Sequence, residues 1–133
     1  MRTLICFLLL PLFVGCGASG PTTFQRTGQV TYNAEPIAKG RIDFMPVGGK
    51  GTAYGAEITD GTYKVALRSG EYQVLVTATR ATGTEKIHPE DPNSEEQEVF
   101  EQYIPKKYNV DTTLRSKVTG REEQDFELTE TNS

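Results

Sequence analysis

The sequence predicts an all-β domain, a two-sheet antiparallel sandwich of seven short strands. Three observations lead there. Apolar residues recur with period two along most of residues 25–129, turn-forming residues punctuate those runs every several positions, and no amphipathic helical stretch separates the first five runs. Parallel pairing of successive strands needs crossover connections of a dozen or more residues, and the gaps here are too short for them.

In chain order, Val30 and Tyr32 alternate with Gln29 and Thr31, and Asn33-Ala34-Glu35-Pro36 turns the chain. Ile42 and Phe44 alternate with Arg41 and Asp43 as far as Pro46, and Tyr54, Ala56 and Ile58 with Gly55 and Glu57. Asp60-Gly61, flanked by alternating residues, is a hairpin signal. Tyr63, Val65 and Leu67 follow on one face, and Ser69-Gly70 turns the chain again. The longest run directs Tyr72, Val74, Val76 and Ala78 inward. After an interruption come Leu114 and Val118, then Phe126 and Leu128.

The interruption, residues 84–103, has its own character. Six carboxylates fall between Glu90 and Glu101: Glu90, Asp91, Glu95, Glu96, Glu98 and Glu101. Ser94 and Gln97 have the spacing of a capping box, and Glu95 and Glu96 suit the positive end of a helix dipole. The pattern predicts a short peripheral helix packed on the sandwich through Val99, Phe100 and Tyr103. Glu95, Glu96, Glu98, Phe100, Glu101 and Tyr103 are then the candidate partner surface. Hard cations also take oxygen ligands, but the spacing matches no EF-hand loop and no metal site is assigned.

The N-terminus begins with a positive charge, Arg2, and an apolar run from Leu4 to Val14 broken only by Pro11. That is the length of a secretory h-region, short of the ~20 apolar residues that span a bilayer. Its end, Val14-Gly15-Cys16, resembles the bacterial lipobox, with Phe13 standing where Leu is usual. The resemblance implies residues 1–15 as a signal peptide and Cys16 as the lipidated residue. Residues 16–24 then form a short flexible stalk, 25–129 the domain and 130–133 a tail. Acyl chains contribute ~0.8 kcal/mol per buried CH₂, so two or three anchor a protein durably. The expected place is the cell envelope, on the extracytoplasmic side of a membrane held through the lipid. Ordinary secretion with Cys16 a bystander, or an uncleaved anchor helix, are the competing readings.

Cysteine usage and charge narrow the classes. Cys6 lies inside the h-region, so the mature chain holds one cysteine and no internal disulfide. Without Arg2 there are 13 basic and 18 acidic residues, a net charge of −5. An acidic domain has no electrostatic basis for binding nucleic acid. His88 is the one histidine, so a zinc site of the usual N/S type lacks ligands. Ser69, Ser94 and Ser116 stand in no nucleophile-elbow context. No catalytic residue, cofactor or metal ligand is assigned. The favoured class is a non-catalytic binding or assembly module for an envelope protein, peptide or glycan. The alternative is a small envelope hydrolase or transferase with an unrecognised active site, and no convergent residue set supports it.

Two stretches carry a family resemblance. Gly28-Gln29-Val30-Thr31-Tyr32 followed by Pro36-Ile37-Ala38-Lys39-Gly40-Arg41-Ile42-Asp43-Phe44-Met45-Pro46 resembles the opening of carboxypeptidase-regulatory-like domains. Thr59-Asp60-Gly61-Thr62-Tyr63 with Gly70-Glu71-Tyr72-Gln73-Val74 is similar to their central strands. A closer similarity is to small planctomycete lipoproteins, which add a segment like Ile104-Pro105-Lys106-Lys107-Tyr108-Asn109 and end in a strand like Gln124-Asp125-Phe126-Glu127-Leu128. The resemblance covers residues 25–129 and implies a transthyretin-like, prealbumin-type Greek-key sandwich of seven antiparallel strands. Its motifs are structural, so they imply a fold and leave function open. The chain departs from the pattern in the first turn, which lacks a glycine, and in the shorter Asp60-Gly61 turn. A hydrolase of the ureide pathway shares the implied fold, but its early histidine and terminal Tyr-Arg-Gly-Ser are absent here.

Overall fold

A computed structural model describes residues 20–130 together with Gly15 and Gly17. The expected signal peptide, apart from Gly15, and Cys16 lie outside the described residues. The elements are β1 (Phe24–Tyr32), β2 (Glu35–Pro36), β3 (Lys39–Pro46), β4 (Tyr54–Thr59), β5 (Thr62–Leu67), β6 (Gly70–Thr77), β7 (Thr79–Lys86), β8 (Glu96–Gln102), a 3₁₀ turn (Lys106–Tyr108), β9 (Arg115–Val118), β10 (Glu122–Glu123) and β11 (Phe126–Leu128). Strands stand at all seven expected positions, and β2, β7, β8 and β10 are additional.

Local chemistry explains the two tightest turns. Asn33 and Ala34 have φ of 51° and 67°, and Asp60 and Gly61 have φ of 51° and 79°. Positive φ at both central residues is the type I′ turn, whose twist matches that of paired strands. It sets Tyr32 opposite Glu35 and Thr59 opposite Thr62. At Gly61 a side chain is also excluded by contact, because a Cβ there would lie 2.5 Å from Pro36 Cβ.

The strands join in a curled sheet of order β10-β1-β5-β4-β3-β6-β9, with β2 and β11 also on β1. β4 and β5 pair only at Thr59–Thr62, so the sheet parts there into two halves that face one core. Strand β1 changes partners midway. Phe24–Gln29 runs antiparallel to β5, while Val30–Tyr32 runs parallel to β11. The expected all-antiparallel pairing is therefore corrected at the last strands, since β10 is also parallel to β1. The crossover argument constrains consecutive strands, whereas β1 and β11 are the first and last of the chain.

Alternation fills the core from both halves. Val30, Ile42, Phe44, Ile58, Leu67, Val74 and Val76 are fully buried, each side chain contributing about 1.5–3 kcal/mol by leaving water. A string of aromatic rings crosses between the halves. Phe126, Tyr63, Phe44, Tyr72 and Tyr54 follow one another at centroid distances of 6.1, 6.1, 6.3 and 6.0 Å. Side chains close the open edges. Asn109 Nδ2 donates to Ile104 O at 3.2 Å and lies 3.4 Å from Val76 O, and Thr112 Oγ1 donates to Val74 O at 2.6 Å. Together they cover the part of β6 that β9 does not reach.

The far edge of β9 meets a buried cation. Arg26, 3 % exposed, donates from Nη2 to Lys117 O at 3.0 Å and from Nη1 to Gln124 Oε1 at 3.2 Å. Glu122 lies 3.6 Å from Nη1, and Gln124 Nε2 donates to Arg115 O at 3.3 Å. Ser116 Oγ donates to the same Gln124 Oε1 at 2.6 Å. Carbonyls that would invite another strand are thereby occupied, one way in which sheet edges are protected.

Candidate binding surface

Residues 79–102 form a two-stranded antiparallel ribbon, β7 with β8, that belongs to no other sheet. This corrects the expected helix. Ser94 is engaged in the turn, where its Oγ accepts from His88 N at 2.8 Å and donates to Glu95 O at 3.2 Å, so it caps nothing. Val99 and Phe100, both strand formers, sit opposite Gly83 and Ala81 across a bulge. Packing on the body is corrected for Phe100, while Tyr103 does pack against the core. Phe100 is 58 % exposed, and every other residue of the ribbon is exposed except the half-buried Lys86, Ser94 and Val99.

The ribbon is fixed to the body at its base. Gln102 Oε1 accepts from Ala78 N at 2.9 Å and from Ile104 N at 3.2 Å, and Tyr103 N donates to Ala78 O at 3.1 Å. Tyr103 sets its ring edge-on to Tyr32 at 5.6 Å, beneath the Arg80 guanidinium at 5.5 Å. Of the six residues expected to share one surface, Glu96, Glu98, Phe100 and Glu101 lie on β8 and Glu95 on the turn before it. Tyr103 faces the body instead.

Charge is divided sharply between ribbon and body. The ribbon holds Arg80 and Lys86 against seven carboxylates, a net charge of −5. The rest of residues 16–133 holds 11 basic and 11 acidic side chains, a net charge of zero. Besides a smaller groove of about 230 Å³ lined by Lys50, Tyr54 and Arg68 among others, two wider ones lie on the body. One, of about 790 Å³, runs over the outer faces of β1, β5 and β4, lined by Thr27, Gln29, Glu57, Thr62, Lys64 and Asp125 among others. The Tyr63 hydroxyl beside it is committed, donating to Gln124 O at 2.7 Å. Burial raises its pKa well above the ordinary tyrosine value despite the nearby Arg26 cation, with Asp125 adding to the rise. It holds its proton at neutral pH. The other groove, of about 480 Å³, is lined by Met45, Val47, Leu75, Val110, Gln73 and Arg115 among others. Sequence patterning does not find it, because its apolar residues come from three distant stretches on the outer side of the sheet.

Catalytic constellations do not assemble among these residues. Ser69 precedes β6, Ser94 lies in the ribbon turn and Ser116 is buried on β9. His88 lies in the ribbon turn and lines neither groove. Among the described residues no group of three His, Cys, Asp or Glu side chains is placed to hold a metal ion.

No protein-family model matches the chain. No curated protein matches it either. Among solved structures it is similar to a DUF3823 family protein from Parabacteroides merdae, at 18 % identity and a TM-score of 0.43. The similarity covers 81 % of this chain and 46 % of that one, so the chain spans less than half of its neighbour's length. A superposition that loose carries no weight for function.

Proposed function

We propose that the chain is a cell-envelope lipoprotein, anchored through Cys16, whose domain is a non-catalytic binding or assembly module. The domain is then the seven-stranded Greek-key sandwich of the carboxypeptidase-regulatory-like kind found in small planctomycete lipoproteins. β7 and β8 are an inserted arm, and β2 and β10 are minor edge segments. The observation that carries the reading is the arm, solvated on both faces and bearing a charge of −5 beside a neutral body. An isolated two-stranded hairpin is marginal in water, so one held out from the fold supports a role in contact with a partner. Its bulge and its glutamates keep its edges from indiscriminate strand pairing.

Two variants of the full chain test this. Replacing residues 81–100 by Asn-Gly closes the ribbon at its Arg80–Glu101 cross-strand pair. On native gels of detergent-solubilised membranes the wild-type chain is expected in a complex larger than a monomer, and the truncated chain as a monomer. Equal migration of the two removes the arm from the binding surface. Cys16→Ala is expected to abolish fatty-acid labelling and release the protein from membranes, and its retention there overturns the lipid anchor.

A further inference from the structure

The large hydrophobic side chains left exposed fall in two places. Ile87 and Phe100 are on the arm, 46 % and 58 % exposed. Met45, Val47 and Val110, at 43 %, 46 % and 73 %, converge with Leu75 on the groove across β3 and β6. The two places are opposite in charge. The arm carries −5, whereas the groove lining contains no carboxylate and includes Arg115. An acidic ribbon with one projecting aromatic ring and an apolar slot whose one charged lining residue is an arginine are complementary in both respects.

They are also placed for exchange. Leu75, on the outer face of β6, is three residues before Ala78, from which the arm departs, roughly 10 Å along a strand. The arm base therefore stands on the side of the molecule where β6 ends, a short reach from the groove. A two-fold axis on that side lets each of two copies lay its arm across the other's groove, the self-complementary arrangement that closes a dimer. Within one chain Phe100 takes no part in the groove lining.

We infer that the partner of the arm is a second copy of this chain, with Phe100 seated among Met45, Val47, Leu75 and Val110 and the β8 glutamates beside Arg115. The inference rests on the binding-module reading and names its partner. Docking gives the ribbon the apolar cover it lacks alone and turns two exposed patches into one interface.

The test uses the full chain in its native membrane, carried on two different epitope tags, with a photoreactive benzoylphenylalanine in place of Phe100. The expected product is a dimer bearing both tags. Arg115→Glu cuts its yield several-fold, and Glu98→Arg placed in the same chain restores it. A second measurement fixes the contact: copies with Phe100→Cys and Val110→Cys form mixed-tag disulfide dimers on oxidation, while Phe100→Cys paired with Lys64→Cys does not. Because these sites are exposed, the variants fold. A photoproduct with a different protein overturns self-association and leaves the binding module standing. No photoproduct at all overturns both.

Discussion

The body and the arm of this domain are built by different rules from adjacent stretches of one chain. In the body the long strands turn one face into the core, charges balance, and open edges are sealed by Asn109, Thr112, Arg26 and Gln124. In the arm no residue is fully buried, and the charge is concentrated and of one sign. The first arrangement is stable alone. The second is held by ladder hydrogen bonds and a fixed base, and gains most from whatever covers it. Burial thus divides the molecule into a part that folds and a part that is presented.

Substitutions in the body test that division most severely. Phe44 lies in the middle of the aromatic string between Tyr63 and Tyr72 and is fully buried. Phe44→Ala is expected to cost about 3–5 kcal/mol in denaturant unfolding. A cost below that of an exposed residue would show that the two halves of the sheet do not share a core. Arg26→Met comes next. It keeps the buried volume but strands Gln124 Oε1 and Lys117 O at a protected edge, and about 2–4 kcal/mol is expected. A neutral result would mean that the guanidinium's own desolvation offsets its bonds, a possibility sharpened by its unpartnered Nε.

Much of the body was legible in the sequence. Tyr63, Val65 and Leu67 are buried in alternation with exposed Thr62, Lys64 and Ala66, and period-two patterning records that burial directly. The arm was not legible for the same reason. Neither of its faces is buried, so no period marks its strands, and the capping-box spacing of Ser94 and Gln97 stood without competition. What decided against a helix was nonlocal: Ser94 turned to His88, and Val99 and Phe100 found Gly83 and Ala81 across the ribbon. The parallel contact of β11 with β1 was hidden as well, because no local pattern reports which strands meet at the two ends of a chain. The acidic surface was readable as composition. The groove of Met45, Leu75 and Val110 was not, since it exists only once three separate segments meet.

The boundary between the two regions can be located by smaller effects. Tyr103 is partly buried against Tyr32, so Tyr103→Ala is expected to cost about 1–2 kcal/mol, less than a full core truncation. Ala34 belongs to the body's first hairpin and holds φ at 67°, where a Cβ is unfavourable. Ala34→Gly is expected to stabilise by about 0.5–1 kcal/mol, the gain in strain relief exceeding the added freedom of the unfolded chain. A loss of stability there would mean that the turn is not held in its type I′ form.

The smallest expected effect belongs to Phe100, only three residues from Tyr103 and of the same chemical kind. Its ring is more than half exposed, its cross-strand neighbour is Ala81, and none of the aromatic contacts that tie Tyr103 to the body reach it. Phe100→Ala therefore removes little buried surface from an isolated molecule, and within about 0.5 kcal/mol no change in unfolding is expected at protein concentrations low enough to keep it monomeric. At higher concentration the expectation differs. If the ring is seated in a second copy, the wild-type thermal midpoint rises with protein concentration, as mass action requires of any association that favours the folded state. That of the Phe100→Ala chain stays flat. The same substitution is thus silent in a dilute sample and visible in a concentrated one. A midpoint that falls in the dilute sample would place Phe100 in the body after all and move the boundary at Gln102 into the arm.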